Sequence, residues 1–335
     1  MEYMTKKILS IPGGGILGLG YLSCLLKVSL YYDNLGIDFL NQFDVFCGVS
    51  VGSIIATGFA LREKILEKAY REDPDFFKLC NISSSHLLSI NSSTLIIKYL
   101  ISLFGLKNDQ VFKPNNFGLN GLIFSKYTDD KIKLFQTYLN YDLSDIPPDR
   151  TLIIKTININ ENNINLFTNC HNLNILPNEY NGNKYSTYLP TIVNWSCNIP
   201  SYFPISDGQV DGGIFSSNIL LECNLLFKNE IFIILSIKKN SETIVPPILD
   251  GLFGWISQYI KIFSINTQII NNFQKVLMDE NIHEIEIDFK NFKLDEISAV
   301  SEIISIGENI NIFSTVQFID AKIIDQNVKR IPYKK

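Results

Sequence analysis

The sequence predicts an α/β domain: a mainly parallel central sheet with helices on both faces, a three-layer α/β/α arrangement. Three observations carry this. Short apolar runs alternate with longer helical stretches in the first third of the chain, the order that parallel βαβ units require. The first two short runs both end in glycine, as buried strands do where they turn into helices. A third, strongly apolar run at 231–237 is rich in isoleucine and reads as a central strand. With 335 residues, 46% of them hydrophobic and 19% charged, the chain can bury a sizeable core.

Residues 7–11 form the first apolar run, ended by Pro12 and three glycines, and read as a strand. Residues 16–30 are apolar on most faces and read as a buried helix. A second strand is predicted over 43–47 and a second helix over 53–62. Such a unit places the C-terminal ends of both strands on one edge of the sheet. Residues 63–120 are less regular. A helix is predicted over 127–139, strands over 151–159 and 163–168, and a helical region over 252–278. Residues 284–289 alternate like a half-buried strand, residues 294–306 read as a helix, and the polar C-terminal end reads as loose. No Pro- or Ser-rich linker divides the chain, so a single domain is expected.

The net charge of −5 has the wrong sign for gripping nucleic acid through its phosphates. Six cysteines are scattered without a CxxC pair, which gives neither a zinc site nor a disulfide framework. The N-terminus is polar and shows no signal peptide, so a reducing, cytoplasmic setting is expected. No membrane span is evident. The apolar stretches 95–106 and 252–270 are broken by polar residues and read as amphipathic helices that face either the core or a lipid surface.

Two glycine motifs carry chemistry. Gly48-Val49-Ser50-Val51-Gly52 matches G-x-S-x-G between a predicted strand and a predicted helix. A nucleophile elbow needs that context, because its tight turn excludes side chains beside the serine and sets the hydroxyl near a helix N-terminus. Gly13-Gly14-Gly15-Ile16-Leu17-Gly18 follows the first strand. It admits a plain tight turn, a dinucleotide loop, or an oxyanion hole in which glycine N–H groups converge beside Ser50. The second strand lacks the terminal acid that would hold a ribose, which disfavours the dinucleotide reading. Two residues could serve Ser50 as base. His283 stands in the chain order of a Ser–acid–His triad, although Ser50 comes after only two strands. Asp211 in Asp211-Gly212-Gly213 could act directly, although Asp-Gly is also a common turn pair.

In this order these motifs resemble the patatin-like phospholipases, lipid acyl hydrolases with a Ser–Asp dyad. That family has a strand, a Gly-Gly-Gly-x-Arg/Lys-Gly loop, G-x-S-x-G, and then Asp-Gly-Gly or Asp-Gly-Ala. Phe43-Asp44 before the elbow, Pro200-Ser201-Tyr202-Phe203-Pro204 before the aspartate and Asn218 after it add to the likeness. It covers about residues 8–222, with 223–335 completing the same domain. The resemblance implies a patatin-like fold and hydrolysis of carboxylic esters of phospholipids or other glycerolipids. Ser50 would be the nucleophile and Asp211 its base, with Gly48 and Gly52 framing the elbow and Gly212 and Gly213 the base motif. Gly13, Gly14 and Gly15 would build the oxyanion hole. No metal or cofactor is implied, and the expected partners are a lipid substrate and a membrane surface visited transiently. The chain departs from the family at Leu17, where Arg or Lys is usual, at Ser217 and Ile219, and after the central strand, where Ser236-Ile237-Lys238-Lys239 lacks a glycine-rich turn. These departures leave open a lipid-binding relative without catalysis.

Overall fold

Among the described residues, eight strands form one sheet in the computed structural model. The structure describes residues 5–72, 92–106, 108–114, 127–161, 163–170, 180–182, 186–200, 202–217, 219–227, 231–240, 279–289 and 292–324. The strands are β1 (Thr5–Ile11), β2 (Val45–Gly48), β3 (Thr151–Asn158), β4 (Asn163–Thr168), β5 (Tyr180–Gly182), β6 (Gln209–Asp211), β7 (Ile231–Asn240) and β8 (Ile282–Asp288). Their order across the sheet is β5-β4-β3-β2-β1-β7-β8, with β6 paired to β3. From β3 to β8 every neighbouring pair is parallel, while β4 and β6 run antiparallel to β3. β7 and β8 come after residue 222, yet β7 pairs along β1 at the centre of the sheet.

Side chains of each strand alternate between two cores, as the two-residue period of a strand demands. Leu9 and Ile11, Phe46, Leu152 and Ile154, and Ile233 and Leu235 face the larger core. Ile8, Val45 and Cys47, Ile153, and Phe232 and Ile234 face the smaller one. The larger core is covered by helices α1 (Gly18–Asp33), α2 (Val51–Ala60), α3 (Arg62–Glu72), α4 (Ser92–Leu106), α5 (Lys131–Tyr138), α6 (Leu189–Ser196), α8 (Val300–Asn309) and α9 (Phe313–Phe318). Against the smaller core lies α7 (Leu220–Leu226), through Leu220, Cys223 and Leu226. Each fully buried Leu, Ile or Phe side chain contributes roughly 1.5–3 kcal/mol. A fully buried ion pair, Lys155 Nζ to Glu222 Oε1 at 3.1 Å, ties β3 to α7 across the smaller core.

The segment Gly15–Asp33 is long and apolar enough to cross a membrane by length and composition, but 72% of it is buried, where α1 packs on α4 and α8. The start of α4, too short to cross a membrane, is likewise buried, with Leu95, Ile96, Ile97 and Leu100 in the larger core. The 252–270 stretch, the 252–278 helical region and the C-terminal end beyond 324 lie outside the described residues. Four predicted helices differ at their ends. α1 begins at Gly18 because a 3₁₀ turn, Gly15–Leu17, precedes it. α2 begins directly after Ser50. The 127–139 prediction shortens to α5 because Tyr127 bridges to Pro114 as extended chain. Residues 292–299 form a loop and a 3₁₀ turn before α8, which replaces the helix predicted from 294.

Candidate active site

β1 and β2 run parallel in the register Ile11↔Gly48, so the glycine loop and the serine turn leave the sheet side by side. A Cβ on Gly13 would lie 3.1 Å from Ser50 Cβ. Ser50 has φ 56° and ψ −131°, a strained conformation for an L-residue that typically costs about 1–3 kcal/mol. The surroundings hold it there. Its N–H donates to Ser196 Oγ at 2.9 Å, and that hydroxyl donates to the Lys155 carbonyl at 2.9 Å. Its carbonyl accepts from Ser53 Oγ and from the Ser53 N–H. Glycine is required on both sides of the turn. A Cβ on Gly48 would stand 2.0 Å from the Gly52 carbonyl oxygen, and one on Gly52 would stand 2.2 Å from that of Ile11.

Asp211 reaches the same place from the other side. β4 occupies one edge of β3 along residues 153–158, so β2, paired to 151–154, and β6, paired to 156–158, share the opposite edge. β6 therefore continues the line of β2 beyond Gly48. Asp211, opposite Thr156, stands level with the serine that follows the end of β2. Gly212 lets this turn lie flat on β3, since a Cβ there would be 2.6 Å from the Lys155 carbonyl oxygen. Asp211 Oδ1 accepts the Gly213 N–H at 2.7 Å. The carboxyl is pushed up from its ordinary 3.8 to about 6. Burial is the main cause, opposed by the Ser50 hydroxyl acting as a hydrogen-bonding neighbour, by the Gly213 N–H, and by the charges of Lys155 and Lys131.

The three loop glycines are not equivalent. The Gly13 N–H donates to the Ser217 carbonyl at 2.8 Å, which corrects the expectation that all three glycines offer donors to an oxyanion. The N–H groups of Gly14 and Gly15 have no hydrogen-bond partner among the described residues. Tyr21 OH donates to the Gly13 carbonyl and braces the loop from below. Gly15 has φ 54°, and the Leu294 carbonyl, which accepts the Ile16 N–H at 2.8 Å, would sit 2.2 Å from a Cβ at Gly15. Leu17 is fully buried in the larger core, so the loop carries no cation at that position.

Ser50 opens into an apolar cleft of about 600 Å³, mouth included. Its walls include Ile16, Leu19, Ile54, Phe104, Phe112 and Phe135, and Lys131 is the one charged side chain among its described lining residues. Tyr202 and Phe203, from the segment before Asp211, also line it, and both rings pack on Tyr127. Asp44 has a different place. Its carboxylate accepts the Lys7 N–H at 2.9 Å and its main chain bonds to Lys7 and Thr151, so it ties together the starts of β1, β2 and β3. His283 is not brought to Ser50. It lies on edge strand β8, three strand spacings or about 14 Å across the sheet from β2. There it hydrogen-bonds Thr315 Oγ1 and stacks on Phe318. Asn218 and Ser201 are outside the described residues.

Sequence reasoning missed Ser196, Tyr21, Lys131 and Leu294, none of which belongs to a motif. A model of the patatin-like phospholipase family matches residues 9–223. None of the curated proteins matches the chain. The family model spans both glycine motifs, Ser50, Asp211 and strands β2, β3 and β6 that bring them together, and on that match the chain belongs to the patatin-like phospholipase family, whose members are lipid acyl hydrolases.

Proposed function

We propose that the protein hydrolyses carboxylic esters of phospholipids or other glycerolipids, with Ser50 as nucleophile and Asp211 as its base. The observation that carries this reading is the pairing of a strained, buried serine hydroxyl with a buried carboxyl whose pKa is about 6. A carboxylate tuned upward from 3.8 is ionised at neutral pH yet is a stronger base than an exposed aspartate. Asp211 takes the Ser50 proton as Oγ attacks the ester carbonyl. The N–H groups of Gly14 and Gly15 stabilise the oxyanion, each such donor being worth about 3 kcal/mol in the transition state. Asp211 then gives the proton to the departing lysolipid or glycerol oxygen, leaving an acyl ester on Ser50. Water, deprotonated by Asp211, releases the fatty acid and restores the serine. The apolar cleft supplies the acyl-chain site, and its aromatic rim supports a transient approach to a membrane surface.

Fatty-acid release from mixed phospholipid vesicles tests the reading. Release by the wild type, abolished by Ser50→Ala with the fold intact, is the expected result. The buried Leu17, which leaves the loop without a cation, favours one other reading, a lipid-binding relative without turnover. That reading predicts vesicle binding with no release from any lipid class.

A further inference from the structure

Lys131 is a chemical misfit in its surroundings. Its side chain is 1% exposed in the wall of an otherwise apolar cleft. Burying an ammonium costs several kcal/mol unless its partners compensate, and a Met of similar volume would line an acyl site without that cost. The partners are modest: Asp129 Oδ1 at 2.7 Å on a carboxylate one-third exposed, the neutral Asn198 Oδ1 at 2.7 Å, and the Phe203 ring with its centroid 4.1 Å away. Asp129 and Asn198 take two of the three N–H donors of the ammonium, and the Phe203 ring covers it on another side. The connection runs toward the base. Asn198 accepts Lys131 through its side chain and accepts the Asp211 N–H at 3.0 Å through its main-chain carbonyl. Asn198 is itself 1% exposed, so both links lie in the dry interior, where charge is weakly screened.

We propose that Lys131 is a positioning residue for Asp211: through Asn198 it fixes the strand that carries the base, and its buried charge keeps that base ionised. The inference rests on the Ser50–Asp211 reading. The other groups facing Asp211 are accounted for. Lys155, from β3, acts on Asp211 more strongly than Lys131 does, and it is held on the other side of the sheet by its pairing with Glu222 of α7. Cys197, after α6, has its thiol pushed up to about 12 by burial and is neutral. The remaining neighbours, the Ser50 hydroxyl and the Gly213 N–H, are uncharged. The balance of charge on the α5 side therefore lies with Lys131 and its counter-ion Asp129.

The test is the pH profile of Ser50 labelling by a fluorophosphonate probe, which reads activation of the serine without requiring the natural lipid. In the wild type the acid limb should have its midpoint near 6, the value of Asp211. Lys131→Met should move that midpoint upward by about half a pH unit or more, a roughly threefold loss of labelling on the acid side. Asp129→Asn keeps the ammonium and removes its counter-charge, so it should move the midpoint downward. It also keeps the test decisive should Lys131→Met fold poorly. A merely structural Lys131 would lower labelling at every pH and leave the midpoint in place. Midpoints unmoved in the variants that fold, or moved the same way in both, with labelling still lost in Asp211→Asn, would overturn the proposal and leave the dyad standing. Labelling of Asp211→Asn at the wild-type rate would overturn the base assignment itself, and this inference with it.

Discussion

Replacing Asp211 with Asn should destroy activity and at the same time stabilise the protein. The carboxyl is buried and its pKa is raised from 3.8 to about 6, so its ionised form is disfavoured in the native state. At 1.36 kcal/mol per pH unit, that difference amounts to about 3 kcal/mol. The sign follows from the direction of the shift. Below pH 4 the carboxyl is protonated in the native and unfolded states alike, and it contributes no penalty. As pH rises from 4 to 6 the unfolded chain ionises first, and the wild type loses up to about 3 kcal/mol relative to a variant that cannot ionise. Above pH 6 the difference is constant. Asn keeps an oxygen for the Gly213 N–H, which Asp211 accepts at 2.7 Å, and its amide can donate to the Ser50 hydroxyl, so the exchange leaves no polar group stranded. Urea titrations of wild type and Asp211→Asn at pH 4, 6 and 8 would read the difference directly. The variant should be about equal at pH 4 and clearly more stable at pH 8. Equal or lower stability at pH 8 would refute the reasoning, because Asp211 would then be a cap for its turn and no more.

Other perturbations give separate outcomes. Gly15→Ala places a Cβ 2.2 Å from the Leu294 carbonyl oxygen at φ 54°, and should cost about 1–3 kcal/mol in thermal unfolding and at least tenfold in turnover. Ile54→Trp, in the cleft wall beside Ser50, should cut release of long-chain acids and spare a short-chain ester, which paired kinetics on the two substrates would show. Lys155→Met strands Glu222 in the smaller core and should destabilise the fold by about 3–5 kcal/mol in denaturant titrations. His283→Ala should leave ester turnover unchanged, since it hydrogen-bonds Thr315 and stacks on Phe318 at the far side of the sheet from Ser50.

Elements that announce themselves by composition were legible. β1, β2, β3, β4, β7 and β8 are apolar runs bounded by glycine, proline or polar residues, and all six fall where the pattern puts them. β6 is three residues long and gains its place only by pairing on β3, so no periodicity could reveal it, and Asp211 was reached through its motif alone. β5, equally short, and α6 were missed for the same lack of period. Ser50 was legible because the collision at Gly48 and Gly52 is local to the turn. The commitment of the Gly13 N–H was not, because its acceptor, Ser217, lies two hundred residues away along the chain. Lys131 looks no different in sequence from Lys133, two positions on, yet one is buried beside the cleft and the other is 77% exposed. Their helix turns only one of them inward, and the packing of Phe203 and Asn198 decides which.

The most direct test of the central claim is to trap the covalent intermediate. Wild-type protein would be mixed briefly with an activated long-chain acyl ester, quenched in acid, digested and read by mass spectrometry. The account predicts an acyl ester on the peptide containing Ser50, absent in Ser50→Ala and greatly reduced in Asp211→Asn. Ester cleavage that proceeds with Ser50 unmodified, or that survives Ser50→Ala undiminished, would contradict it.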